Sequence, residues 1–367
     1  LIISSTRAQI LQSSIVVDSF RNETLPSGGT EKVIYKKTDN NDIILVRNFH
    51  MNANTIIINS GYLYDSVCIS IYSAQGVKKW EKRLGDDEPF RINDAAIHEN
   101  SLIMIGDKQS SSIFVRVDIA GNIVSYQEYP DVEATAKQSL QSITPDHKGN
   151  YLISSIRWNF TDYGYCFLYF SNFYVSASYY LIKTNADGNV IWQREISQKN
   201  YFPGTTSFFQ PVPPDNVIIE ADTVNKNILY LDFFKTQLEL PIQVRLLQID
   251  TNIGIISNTK LGTDIDNASC STSKFKIIPT TSAYNILIED QVNVTPNASS
   301  VIQYIYSREG NLIDTIRRWD IGANSVLDYS AMTLMTHNHR NYISSKLTNN
   351  NYYKYFQLGM SNSFNNN

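Results

Sequence analysis

Two acidic runs carry the residue types for acid–base work on a glycosidic bond: Asp86-Asp87-Glu88 and Asp264-Ile265-Asp266. That chemistry needs two carboxylates, one to hand over a proton and one to take a proton or attack. Both runs follow strand-like segments and so fall on connections, where acids are usually just solvated. His337-Asn338-His339 offers two imidazoles, but the sequence names no third ligand for a metal. Aligning Asn341-Tyr342-Ile343 with Asn150-Tyr151-Leu152 puts the histidines on a turn. Thr184–Asn189 has the acid and amide content of a calcium loop. Lys183 and Arg194 stand where such a loop needs its charged ends, so a hairpin turn is expected instead. No Gly-x-Ser-x-Gly elbow occurs. The sequence assigns no catalytic residue, no metal ligand and no cofactor.

The strongest candidate for recognition is aromatic. Tyr163, Tyr165, Phe167, Tyr169, Phe170, Phe173 and Tyr174 crowd one segment, with Tyr179 and Tyr180 following. Most of them fall in an insertion rather than in a repeated strand. Rigid rings on a projecting loop lose little entropy on docking, and they suit stacking on sugar rings or anchoring a protein partner.

Composition narrows the classes. The chain has 367 residues, 42% apolar and 12% aromatic content, and a net charge of −4. It can bury a sizeable core, and neither its charge nor any basic–aromatic cluster fits a nucleic-acid partner. Cys68, Cys166 and Cys270 lack metal spacing and read as small core residues. No run is apolar enough for a spanning helix, so any membrane association would go through a partner. Leu1–Gln9 has the small residues of a signal-peptide tail, with a cleavage point near Ala8. The sequons at Asn22, Asn159, Asn267, Asn293 and Asn297 are no more frequent than an Asn- and Ser-rich composition provides.

The elements that would position these residues repeat. Five segments share an apolar run, a polar turn ending in Gly, and a second apolar run. Their glycines are Gly76, Gly121, Gly188, Gly254 and Gly310. Glycine is expected there because the turn needs a positive φ. A second pair of strand-like runs precedes each hairpin. In the third unit these are Gln138–Thr144, Tyr151–Ile156, Tyr179–Lys183 and Asn189–Ile196. Four antiparallel strands in succession make one blade, so the expected fold is all-β: a β-propeller of six four-stranded blades, with seven as the alternative. The units are placed at about 43–84, 93–129, 138–196, 206–261, 271–319 and 325–357. The last lacks its outer strand, and Glu31–Lys37 is expected to supply it, closing the ring and removing exposed sheet edges. Residues 1–30 then form an N-terminal segment, 31–360 one propeller domain, and 361–367 an Asn-rich tail.

At Leu181-Ile-Lys-Thr-Asn-Ala-Asp-Gly-Asn-Val-Ile-Trp192 the chain resembles the quinoprotein-like (PQQ-like) propeller repeat superfamily: an apolar strand, an Asp-x-x-Gly-type turn and an outer strand carrying Trp. Trp80, Trp192 and Trp319 follow their turns, whereas the second and fourth units have no such Trp. The resemblance implies a propeller and a cell-envelope or extracellular location. The adjacent cysteine pair of that superfamily's dehydrogenases is absent, so a non-enzymatic member is implied. The expected function is a secreted or envelope scaffold that binds a protein or glycan without catalysis. The alternative is a carbohydrate-active hydrolase or lyase with acids at the channel mouth.

Overall fold

The structure is a computed structural model. It describes residues 13–21, 32–40, 42–49, 56–58, 61–63, 66–73, 76–84, 90–108, 110–131, 136–146, 148–161, 173–200, 218–222, 227–234, 242–250, 254–265, 275–290, 300–319, 327–337, 340–349 and 352–359. The elements are all strands. They are β1 (Ser13–Arg21), β2 (Lys32–Lys37), β3 (Ile43–Phe49), β4 (Ile56–Ile58), β5 (Gly61–Leu63), β6 (Ser66–Tyr72), β7 (Lys78–Leu84), β8 (Phe90–His98) and β9 (Ser101–Lys108). There follow β10 (Ser111–Asp118), β11 (Ile123–Pro130), β12 (Ala136–Pro145), β13 (Tyr151–Thr161), β14 (Phe173–Thr184), β15 (Val190–Asn200), β16 (Ile218–Asp222), β17 (Asn227–Phe234) and β18 (Ile242–Asp250). The last are β19 (Gly254–Ile265), β20 (Phe275–Pro279), β21 (Ala283–Asp290), β22 (Ser300–Ser307), β23 (Leu312–Trp319), β24 (Leu327–His337), β25 (Arg340–Asn349) and β26 (Tyr352–Gly359).

Six four-stranded antiparallel sheets result: β2-β3-β6-β7, β8-β9-β10-β11, β12-β13-β14-β15, β16-β17-β18-β19, β20-β21-β22-β23 and β24-β25-β26-β1. Strands β4 and β5 form a separate hairpin. The meander order is the one read from the repeat. The strand completing the last sheet is not. Ser13–Arg21 pairs with β26, whereas Lys32–Lys37 pairs with β3 in the first sheet. Local chemistry explains the difference. Thr38 N donates to Asp42 O at 2.9 Å and Asp42 N to the Thr38 hydroxyl at 3.0 Å, so a tight turn joins β2 to β3. Closing that short loop costs far less entropy than reaching across the whole chain.

The glycine hairpins share one construction. At Ser73, Asp118, Asn185 and Ser307 the side-chain oxygen accepts the backbone N–H four residues on, at 2.8 to 3.3 Å. The glycine N–H closes the turn on the same residue's carbonyl. Gly76, Gly121, Gly188 and Gly310 take φ between 82° and 89°, which a Cβ would strain. A bulge follows each turn, with Lys79, Val124, Ile191 and Ile313 as the extra residues on the outgoing strands, and Ile256 takes the same place in the β18–β19 hairpin. The turn before Gly254 lies outside the described residues. Trp80 and Trp192 stand four residues past their glycines, whereas Trp319 sits at the far end of β23, opposite Ser300.

Two compact units can be distinguished: Leu1–Ala53, Ser66–Leu84 and Glu220–Asn367 form one, Asn54–Asp65 and Gly85–Ile219 the other. In the first, β24 lies beside β2 and β20. Gln248 there donates to the Tyr284 hydroxyl at 2.6 Å, and Arg308 pairs with Asp222, linking the fourth sheet to the fifth. In the second unit the sheets of β8 and β12 share one core. It consists of Ala96, Ile103, Ile105 and Phe114 against Leu140, Ile143, Tyr151, Ile153 and Ile182. Each large aliphatic or aromatic side chain so buried contributes roughly 1.5–3 kcal/mol. The third sheet's turn also docks on the second sheet. Ser125 and Tyr129 donate to the carbonyls of Asp187 and Gly188, while burial drives the Tyr129 phenol far above its ordinary range.

Candidate functional site

Bulges in the first strands of these two packed sheets build a polar seam. In β8, Ile92 pairs with Gly106 and Asp94 with Ile105, so Asn93 is the extra residue. Only glycine fits at position 106, because a Cβ there would meet the Arg91 carbonyl oxygen at 1.8 Å. In β12, Leu140 pairs with Ser155 and Ser142 with Ser154, leaving Gln141 as the extra residue. A bulge re-aims side chains that strict alternation would bury or expose.

Asn93, buried, donates its amide to Asp107 Oδ2 at 2.7 Å and to the Leu140 carbonyl at 2.7 Å. Asp107, also buried, accepts from Arg91 at 3.0 Å and from the Ser139 hydroxyl at 2.7 Å on the same oxygen. Its other oxygen accepts from Ser112 and from Leu140 N, each at 3.3 Å. Asp94, half-buried, accepts from the Ser142 hydroxyl and from Ile143 N at 3.0 Å each. Gln141, half-buried, donates to the Ser139 hydroxyl at 2.6 Å. These carboxylates are filled by donors of the protein itself, which suits orienting neighbours better than cycling a proton. Along the seam stand an amide, hydroxyls and a carboxylate edge, the groups that exchange hydrogen bonds with polyols.

The other polar clusters are also paired within the protein. Arg47 reaches Cys68 Sγ at 3.2 Å, Ser70 at 3.3 Å and Glu81 at 3.0 Å. Burial pushes the Cys68 thiol upward, against the pull of Arg47. Cys68 thus occupies the core position expected of it; Cys166 and Cys270 lie outside the described residues. Asp146 accepts from the N–H groups of Lys148 and Asn150 at the β12–β13 turn and pairs with Lys183 at 2.9 Å. Burial alone would raise this carboxyl, but Lys183 and the turn donors hold it at about 2.

The aromatic run is placed in part. Phe173 and Tyr174 open β14, paired with Thr161 and Phe160, while Tyr163, Tyr165, Phe167, Tyr169 and Phe170 lie outside the described residues. His337 ends β24 opposite Arg340, next to the expected turn, and His339 is outside the described set. Asp264 falls within β19, whereas Asp86, Asp87, Glu88 and Asp266 are outside that set. Asn185 caps its turn by accepting from Asp187 N and Asn189 N, as a hairpin rather than a calcium loop requires. Among the described residues no group of three His, Cys, Asp or Glu could hold a metal ion. Nor is any described helix long and apolar enough to cross a membrane. The seam itself escaped the sequence reading. Its signal was the pair Asn93-Asp94 interrupting an apolar strand, where alternation allows one polar residue.

Sheets in this order define an all-β, β-propeller-like fold. No protein-family model matches the chain, and no curated protein matches it. Among solved structures it is similar to a polysaccharide lyase, the PL25 ulvan lyase, at TM-score 0.51 and 10% identity, over 90% of this chain and 79% of that one. It is also similar to Mala s 1, the major allergen of Malassezia sympodialis, at TM-score 0.50 and 11% identity, over 96% and 97% of the two chains. At such identities the likeness is one of fold alone.

Proposed function

We propose that the protein is a six-bladed β-propeller of quinoprotein-like repeat type, extracellular or held at the cell envelope, that binds a glycan without cleaving it. The observation that carries this reading is the pair of adjacent bulges. They set Asp94, Gln141 and Ser142 on neighbouring first strands, the strands that line the central channel of a propeller. Asp94 and Asp107 are supplied with donors from within the protein, which favours recognition over acid–base catalysis. A glycan array with the full chain tests the reading. Gln141→Ala removes a half-buried amide that is not part of the core and should weaken the best ligand about tenfold, or roughly 1.4 kcal/mol. The melting temperature should stay unchanged. Absence of glycan binding across the array would overturn it.

The fold likeness to the ulvan lyase favours a second reading, cleavage of a polysaccharide. Incubation with uronate-containing polysaccharides separates the two: a lyase releases unsaturated oligosaccharides, a binding protein leaves chain length unchanged.

A further inference from the structure

Arg157 on β13 differs from Arg47, Arg91 and Arg308, each of which meets a carboxylate. It is half-buried and pairs with no carboxylate among the described residues. Its Nη2 donates to the neutral Gln138 Oε1 at 3.3 Å, and its Nε, like that of the other three, is shielded from water with no acceptor. The guanidinium carbon lies 4.7 Å from the centre of the Tyr180 ring, held against an aromatic side chain. Two residues back on the same side of the strand, Ser155 is 1% exposed, and its hydroxyl also lacks a partner. The register explains the grouping: Gln138 stands opposite Arg157 on β12, and Tyr180 opposite Ser155 on β14. Gln138 and Tyr180, from the two flanking strands, therefore hold a cation that meets no carboxylate among the described residues, with Ser155 beside it on the same strand face.

A partly desolvated cation is costly without an opposing charge, and a guanidinium laid on a ring presents its donor edge in a fixed plane. That edge matches a planar or tetrahedral anion through paired hydrogen bonds. The strand pair also leads to the aromatic run. Beyond Arg157 the ladder continues to Phe160 opposite Tyr174 and Thr161 opposite Phe173. The third sheet thus carries the cation on the same strand pair as Phe173 and Tyr174, the described end of the aromatic run.

We infer that Arg157, with Gln138 and Tyr180, forms a subsite for the anionic group of an acidic sugar, a uronate carboxylate or a sulfate ester. The inference rests on the glycan-binding reading and deepens it. Glycans are the class in which a single anion recurs beside faces that stack on aromatic rings. The same donor edge serves carboxylate and sulfate, so the sugar's chemistry decides between them.

Titration calorimetry on the full chain tests the subsite with matched oligosaccharides: a galacturonan and its methyl-esterified neutral form, and a sulfated galactan and its desulfated form. At least one charged ligand should bind at least about tenfold more tightly than its neutral counterpart, with an affinity that falls as salt is added. Arg157→Gln should erase that preference and leave binding of the neutral form unchanged. Arg157→Lys, which keeps the charge but loses the planar fork, should fall between. Equal binding of charged and neutral forms, or an undiminished preference in Arg157→Gln, overturns the subsite and leaves glycan binding standing. Binding of none of the four overturns both. If Arg157→Gln fails to fold, the charged-to-neutral ratio and salt dependence of the unmodified chain decide alone.

Discussion

Replacing Asp107 with alanine tests whether the seam holds the second and third sheets together. Asp107 is 4% exposed and takes donors from Arg91, Asn93, Ser112, Ser139 and the Leu140 N–H. Two of those donors keep another acceptor: Asn93 still reaches the Leu140 carbonyl, and Ser112 the Gln138 carbonyl at 2.9 Å. Arg91 loses its carboxylate in a site where its side chain is 15% exposed. Removing one member of a buried ion pair costs about 3–5 kcal/mol, most of it from the charge left behind. A loss near 4 kcal/mol is expected. With a urea slope of about 3 kcal/mol per molar, the unfolding midpoint should drop by roughly 1.3 M at unchanged slope. Arg91→Met alone should also destabilise, and Arg91→Met with Asp107→Ala should cost less than the two losses added, by at least about 1 kcal/mol. A loss under about 1 kcal/mol for Asp107→Ala, or strict additivity, would refute the account of the seam as a coupled buried network.

Two further outcomes are expected from the hairpin turns. Gly188→Ala places a Cβ 2.6 Å from the buried Phe114 ring at φ +88°, so it should cost about 2–4 kcal/mol. Gly149→Ala, at φ +77° with nothing within 4 Å, should cost only about 1–2 kcal/mol. Equal losses by urea denaturation would remove the sheet-docking role of the third turn. Asp146, held at about 2, has a folded value below its unfolded one, so its contribution is complete above about pH 4 and fades as pH falls toward 2. Lys183→Met should flatten the acid limb of the stability curve in that window, and an unchanged limb would contradict the pairing.

Much of the fold was legible because the turn chemistry is local. Ser73, Asp118, Asn185 and Ser307 each write their own cap, and the glycine three residues later fixes the hairpin within one short stretch. Strand order followed, since consecutive strands joined by tight turns pair with one another. The closing strand was misread because β1 and Lys32–Lys37 have equally good β character, and a partner more than 330 residues away leaves no mark in local pattern. The seam was hidden for a related reason. Asn93 and Gln141 are ordinary polar residues until a bulge makes each the extra residue of its strand and Asn93 reaches the Leu140 carbonyl of the neighbouring sheet, and Gly106 signals its role only once the Arg91 carbonyl is seen against it. Arg157 likewise looks like any strand arginine until its described neighbours prove to be an amide and a ring rather than an acid.

The pairing of Ser13–Arg21 with Tyr352–Gly359 has a bearing on biosynthesis. Ser13–Arg21 leaves the ribosome well before it can find its place, because its partner is translated some tens of seconds later. Until then an apolar ribbon with open hydrogen-bonding edges must be kept from pairing with another nascent chain. A bulky fusion just upstream of Ser13 would obstruct the final sheet more than any other, and the other five could form while it waits.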